Sequence, residues 1–120
     1  MGDYGLGAPG ELDLETALAT GAGAPNSLTA LVIAGTIRHV RLQWAAPPVN
    51  EVATYEVFRV LGLPSDIGQA TRIGTVTAPL IEFFDTSGKP AGRTYTYFVI
   101  AVSVDGARSP QSNLAVIQVP

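Results

Sequence analysis

The sequence predicts an all-β domain, an antiparallel sandwich of seven short strands, preceded by an N-terminal arm. Three observations predict this fold class. Trp44 ends a run in which Val40 and Leu42 occupy alternate positions, as they would on the buried face of a strand. Residues 94–104 form a longer alternating run that begins Thr-Tyr-Thr-Tyr. Turn-forming residues separate these two runs from five others of strand length, a spacing typical of sandwiches.

The first four strands follow from alternation and from the residues that interrupt it. Pro47 and Pro48 end the second strand, because proline cannot donate a hydrogen bond to a central ladder. The third strand places Tyr55 and Val57 on its inner face by alternation. A loop rich in Pro, Gly and Ser, residues 62–68, separates the third strand from a short edge strand. The four predicted strands are residues 27–33, 38–44, 53–60 and 71–76.

The last three strands are predicted at residues 80–84, 94–104 and 113–119. A turn-rich segment, Asp-Thr-Ser-Gly-Lys-Pro, follows the first of these and marks a crossing between the sheets. Asp105 and Gly106 form a hairpin turn before the last strand.

Residues 1–24 differ in character from residues 25–120 and are predicted to be an arm or linker to the β domain. Gly, Ala and Pro dominate the ends of this segment, and residues 11–19 have the composition of about two helical turns. Acidic residues cluster at the start of that stretch, and Leu14 and Leu18 would share one helical face. A helix this short is stable only when it docks on a surface.

Composition argues against several classes of function. Cysteine is absent, so neither a disulfide framework nor a thiolate metal site can form. A net charge of −3 argues against nucleic-acid binding, which needs clustered Lys and Arg. No apolar run approaches the roughly 20 residues of a membrane-spanning helix, so no membrane partner is predicted. The N-terminus lacks the features of a signal peptide, from which we expect synthesis in a cytoplasm.

The low charge is itself informative. Charged residues make up 14% of the chain, against about 25% in a typical soluble domain. A surface poor in charge does little to keep free monomers apart. The composition therefore predicts that part of the surface is covered by other protein.

The strand runs, taken together, resemble a fibronectin type III domain of the bacterial and phage kind. The resemblance covers about residues 25–120 and rests on six segments in order: residues 28–30, 41–47, 55–59, 84–86, 92–102 and 109–113. It implies a seven-stranded antiparallel immunoglobulin-like sandwich whose members mostly act as spacers or interaction modules. The core that it implies consists of Trp44, Tyr55, Val57, Tyr95, Val99 and Ala101.

Two further expectations follow from the resemblance. The hydroxyl of Tyr95 should bond to backbone near the preceding crossing, as the corner tyrosine of such sandwiches does. The hairpin at Asp105 carries Asp-Gly-Ala-Arg and not Arg-Gly-Asp, so integrin binding is not implied.

No motif in the chain predicts catalysis, a metal or a cofactor. Gly5, Gly7 and Gly10 match the spacing of a dinucleotide-binding turn, but the strand that must precede such a turn is missing. Catalysis by His39, the single histidine, would need a positioned carboxylate or nucleophile, and the sequence alone identifies none. The sequence therefore predicts a non-enzymatic protein without catalytic, metal-binding or cofactor-binding residues.

An apolar patch on the outer face of the central sheet is the predicted interface. If Tyr95 and Val99 face inward, alternation turns the residues between them outward, where a one-sided sheet would carry polar side chains. The candidate interface residues are Phe58, Val60, Phe98, Ile100, Val102 and Ile117. Two covers fit this pattern equally well: a neighbouring subunit or domain, and the chain's own arm through Tyr4, Leu6, Leu12, Leu14 and Leu18.

Two functions from different classes are compatible with these features of the sequence. The first is a structural module packed into a larger assembly, a bacteriophage virion component such as a capsid decoration, tail or fibre-attachment protein. The alternative is an extracellular accessory spacer of a secreted polysaccharide-degrading enzyme or adhesin. Both predict protein partners, including other copies of the chain, and we do not expect carbohydrate binding, because no groove of exposed aromatic residues is recognisable.

Overall fold

The structure is a computed structural model that describes residues 23–34, 38–48 and 52–120. Within these ranges the chain forms seven strands in two antiparallel sheets. One sheet has the order β1-β2-β5 and the other β4-β3-β6-β7, which confirms the predicted sandwich. The strands are β1 (Asn26–Ile33), β2 (His39–Ala45), β3 (Val52–Leu61), β4 (Thr71–Thr77), β5 (Glu82–Asp85), β6 (Thr94–Ser103) and β7 (Ala115–Gln118).

The core lies between the two sheets and is built by the alternation of β2, β3 and β6. The indole of Trp44 meets the ring of Tyr55 edge-on, with ring centroids 5.3 Å apart, an arrangement that aromatic pairs prefer. Val57 and Val99 pair across β3 and β6 and are fully buried. The six residues predicted for the core all belong to the buried cluster: Trp44, Tyr55, Val57, Tyr95, Val99 and Ala101.

A short 3-10 helix, Pro64–Gln69, lies within the loop predicted between the third and fourth strands. Proline fits its first turn because no hydrogen bond is lost there. The carboxylate of Asp66 accepts a hydrogen bond from the Leu63 backbone N–H at 3.0 Å. Gly62 has a φ of +134° and sits against that carboxylate so closely that a Cβ would collide with it. The turn therefore requires glycine at position 62.

The last strand begins at Ala115, later than predicted, because two serine side chains take over the pairing with β6. The N–H of Val99 donates to Ser112 Oγ, and the N–H of Ala101 donates to Ser109 Oγ, both at 2.9 Å. The backbone N–H groups of the two serines return hydrogen bonds to the same two residues. The segment before β7 thus supplies hydrogen-bond partners to the backbone of β6 without being a regular strand.

The tyrosine whose hydroxyl forms a hydrogen bond at the end of β5 is Tyr97, which bonds to a side chain, and not Tyr95, for which the resemblance implied a bond to backbone. The Tyr97 hydroxyl donates to Asp85 Oδ2 at 2.7 Å. The Tyr95 hydroxyl has no hydrogen bond to any described residue, and its ring lies under the cationic groups of Arg59 and Lys89. Tyr95 and Tyr97 point to the same side of β6, and Tyr97, the more deeply buried of the two, reaches the carboxylate of Asp85.

Among the described residues, no helix is long and apolar enough to cross a membrane.

Candidate functional site

The outer face of the four-stranded sheet contains most of the predicted interface residues. Phe58 of β3 pairs with Phe98 of β6, and their rings stack with centroids 4.8 Å apart and planes 7° from parallel. One row further along, Glu56 pairs with Ile100. Phe58, Ile100 and Val102 are half-buried and lie outside the core cluster.

Three of the six predicted residues do not fit an exposed patch. Val60 and Phe98 are only 6% and 7% exposed. Ile117 faces the opposite way, because it pairs with Tyr95 and packs against the core. The assignment of Ile117 is wrong because β7 is apolar on both faces, so alternation could not decide which face is buried. Val116, which is 48% exposed, is the outward apolar residue of this strand.

A bridged carboxylate, which was not predicted, interrupts this outer face. Glu56 Oε2 accepts a hydrogen bond from Arg72 at 2.9 Å, and Glu56 Oε1 pairs with Arg108. Glu56 is 9% exposed, whereas both arginine side chains are more than half exposed. The only sequence signal was a charged residue at an outward position between Tyr55 and Val57. The face is therefore amphipathic and not uniformly apolar.

The predicted arm contacts lie outside the described residues. They are Tyr4, Leu6, Leu12, Leu14 and Leu18.

The outer face of the three-stranded sheet exposes apolar side chains that were not predicted as an interface. Leu31, Arg41 and Phe84 form one row across β1, β2 and β5. Leu31 is 59% exposed and Phe84 is 44% exposed. The His39 ring lies 6.3 Å from the Phe84 ring. We call Leu31, Arg41 and Phe84 the exposed row. Alternation in β1 did not indicate it, because residues 30–33 are apolar on both faces of the strand.

A compact polar cluster lies where β5 ends and the chain crosses between the sheets. Asp85 Oδ2 accepts hydrogen bonds from Tyr97 Oη at 2.7 Å and Arg59 Nη1 at 2.8 Å, and it lies 3.0 Å from Lys89 Nζ. Asp85 Oδ1 accepts a hydrogen bond from Ser87 Oγ at 2.9 Å. The side chains of Asp85 and Lys89 are 5% and 1% exposed. We call these five residues the Asp85 cluster.

The electrostatics of the Asp85 cluster follow from its hydrogen bonds. Burial alone would raise the pKa of Asp85, but the donors Tyr97, Arg59, Lys89 and Ser87 together lower it to about 2. Burial and the neighbouring carboxylate raise the pKa of Tyr97 above its usual value. Asp85 therefore stays ionised and Tyr97 stays neutral through the physiological pH range. Groups fixed in these states hold a structure together and do not exchange protons near neutral pH.

Acid should lower the free energy of unfolding of the domain by protonating Asp85. Because its pKa is lowered on folding, its contribution to the free energy of unfolding is complete above about pH 4 and is lost as the pH falls towards about 2. The loss should amount to about 2 kcal/mol. Urea denaturation at a series of pH values measures it. The Tyr97→Phe variant removes one donor and should show a smaller loss over the same interval, and identical profiles for the two proteins would contradict the assignment.

A pocket of about 320 Å³ opens beside the Asp85 cluster. It lies where β4 and β5, the edge strands of the two sheets, face each other across the open side of the sandwich. Arg59 and Asp85 supply its charged wall, and Ile73, Phe83 and Phe84 supply its apolar wall. The Phe83 ring lies directly over Gly74, where a Cβ would collide with it. Glycine at position 74 thus lets Phe83 pack at this edge.

Charge and hydrogen-bond donors decide what these sites can bind. In the described ranges, no group of three or more His, Asp or Glu residues is placed to hold a metal ion. The Asp85 cluster contains two cations for one carboxylate, and the neighbouring pocket is rimmed by the partly exposed Arg59. This arrangement can accept an anion.

Comparison with known proteins yields structural similarity but no sequence family. The sequence matches no protein-family model and no curated protein. The FN1-FN3 domains of chicken contactin superpose with a TM-score of 0.67 at 16% identity over 83% of this chain. The structure described as FN3tt mut superposes with a TM-score of 0.64 at 21% identity over 82% of this chain and 97% of its own.

A pectate lyase also contains a similar domain. Pectate lyase PelI from Erwinia chrysanthemi, in complex with tetragalacturonic acid, has a TM-score of 0.58 at 26% identity over 74% of this chain. The chain spans 32% of the contactin structure and 27% of the pectate lyase, so it matches only a part of each. Strand order, core and these superpositions agree, and the described part of the chain has a fibronectin type III-like fold.

Proposed function

We propose that this protein is a non-catalytic structural module that is packed into a larger assembly, and specifically that it is a bacteriophage virion component such as a capsid decoration, tail or fibre-attachment protein. The exposed row carries the proposal. Leu31 and Phe84 leave a large part of their apolar surface in water on an otherwise complete sandwich, and such surfaces on soluble domains mark contacts with other proteins.

Two further observations support an assembled state. Charged residues make up only 14% of the chain, which favours association over dispersal. The fibronectin type III-like domains to which the chain is similar are generally non-catalytic. In this assembly the exposed row would lie against a neighbouring subunit, with Arg41 held in the row by Glu82 at 2.6 Å.

The test is to locate the protein in particles assembled in its native host culture. Mass spectrometry of purified particles should find the chain, at a constant ratio to the major structural protein. Particles from a culture that produces the Leu31→Glu variant should lack it, because a charge would be buried at the interface. The matched control is Thr29→Glu, an exposed position on the same face of the same strand, which should be incorporated normally.

Two results would contradict the proposal. One is a chain that is absent from particles and present only in the culture fluid. The other is equal incorporation of the Leu31→Glu and Thr29→Glu variants, which would show that the exposed row is not the contact.

A second candidate function is an accessory domain of a secreted polysaccharide-degrading enzyme. The observation that favours it is the similar domain in pectate lyase PelI, at 26% identity. This alternative predicts that the chain is found in culture fluid, joined to or associated with a hydrolase or lyase. The particle experiment therefore also distinguishes the two candidates.

A further inference from the structure

We propose that the pocket beside the Asp85 cluster binds an organic carboxylate, with the carboxylate on Arg59 and the apolar body of the ligand against Ile73 and the ring of Phe83. This site goes beyond the structural role proposed above, and neither proposal depends on the other.

Charge balance is the first argument. Asp85 is the one carboxylate that contacts both Arg59 and Lys89 among the described residues. The Lys89 side chain is 1% exposed, so water does little to compensate its charge. The Asp85 cluster thus has a net charge of +1, and it is partly shielded from water. An anion in the adjoining pocket would balance it.

The geometry of Arg59 is the second argument. Its Nη1 donates to Asp85 Oδ2 at 2.8 Å and to Ser87 Oγ at 2.9 Å. No described residue accepts a hydrogen bond from its Nε or Nη2, although the side chain is only 27% exposed. Arg59 also lines the pocket. Its remaining donors form a planar fork of the kind that binds carboxylates.

The pocket walls define the rest of the ligand. Ile73 and Phe83 are half-buried, and Phe84 is 44% exposed at the rim. A volume of about 320 Å³ suits a small molecule. Ile73 and Phe83 offer no hydrogen-bond donors to the remaining oxygens of a phosphate dianion, whereas they would contact the apolar body of an organic carboxylate. The chemistry therefore favours a single carboxylate attached to an apolar or planar body over an inorganic anion.

Binding of benzoate to the full chain tests the proposal. Amide and Arg Nε resonances of the ¹⁵N-labelled protein are followed during titration with sodium benzoate, and separately with benzamide and with sodium acetate, at constant ionic strength. Benzoate should give saturable shifts at Thr86, Ser87 and Arg59. Benzamide, which lacks the charge, and acetate, which lacks the ring, should bind at least about tenfold more weakly.

Two variants separate binding from folding. Arg59→Gln should weaken benzoate binding by about tenfold or more, whereas the control Arg72→Gln, an arginine paired with Glu56 outside the pocket, should not. Because Arg59→Gln also removes a contact to Asp85, the second variant is Thr86→Trp, which fills the pocket from an exposed rim position and should abolish the shifts. Absence of saturable shifts with benzoate, equal binding of benzamide, or unchanged benzoate affinity in both pocket variants would each overturn the proposal.

Discussion

Replacing Asp85 by Ala should lower the free energy of unfolding by about 3–5 kcal/mol, because it leaves a buried cation without its counter-charge. Lys89 would keep only the oxygens of Ser87 as hydrogen-bond acceptors, and the Tyr97 hydroxyl would lose its acceptor inside the core. Urea denaturation at neutral pH, with fluorescence of Trp44 as the probe, measures the change. The double variant Asp85→Ala/Lys89→Met should recover part of the loss, since it removes the unpaired charge as well.

The matched control lies on the same strand. Glu82 also binds an arginine, Arg41, at 2.6 Å, but on the solvent face, where both side chains are about a quarter or more exposed. Glu82→Ala should therefore cost no more than about 1 kcal/mol. If Asp85→Ala and Glu82→Ala cost the same, the Asp85 cluster is not a structural centre of the domain.

The seven strands and the core could be predicted from the sequence because both depend on local alternation. Trp44 and Val99 each lie in runs whose period of two is unambiguous, and prolines or Asp-Gly turns delimit them. The ends of strands are harder to predict. The start of β7 depends on Ser109 and Ser112, whose side chains accept hydrogen bonds from the backbone of β6. A single sequence does not reveal that side chains will replace backbone groups in pairing with a distant strand.

The candidate sites could be predicted only in part, because they depend on contacts between distant segments. Asp85 has the sequence context of a turn residue, and its role appears only when β3 brings Arg59 and β6 brings Tyr97 to it. Glu56 is likewise explained by Arg108, which is 52 residues away. Alternation correctly turned Phe58 and Ile100 away from the core, but it could not show how much of that face is buried.

The exposed row illustrates a different limit. Leu31 lies in a run of apolar residues on β1 whose two faces look alike in sequence. The pairing of Leu31 with Arg41, and of Arg41 with Phe84, decides which side chains meet on the outer face. Strand pairing is a tertiary property, so a surface formed across three strands is not visible in any one of them.

Replacing Phe98 by Ala should lower the free energy of unfolding by about 3 kcal/mol, as for a buried aromatic residue. Phe98 lies on the outer face of its sheet, yet it is 7% exposed and its ring stacks on Phe58. Truncation would remove this stacked pair and leave a cavity beside it. Chemical denaturation of the full chain measures the change.

Val116 provides the matched control for Phe98, because it lies on the same outer face but is 48% exposed. Val116→Ala should change the free energy of unfolding by no more than about 0.5 kcal/mol. A loss near 3 kcal/mol for Phe98→Ala in the isolated chain is the value typical of a buried ring. It would mean that a single molecule buries the Phe58–Phe98 pair without a partner. An interface must then use other apolar side chains. A loss as small as that of Val116→Ala would instead show that Phe98 is exposed, as the sequence pattern predicted for the interface, since an exposed ring loses little burial when it is truncated.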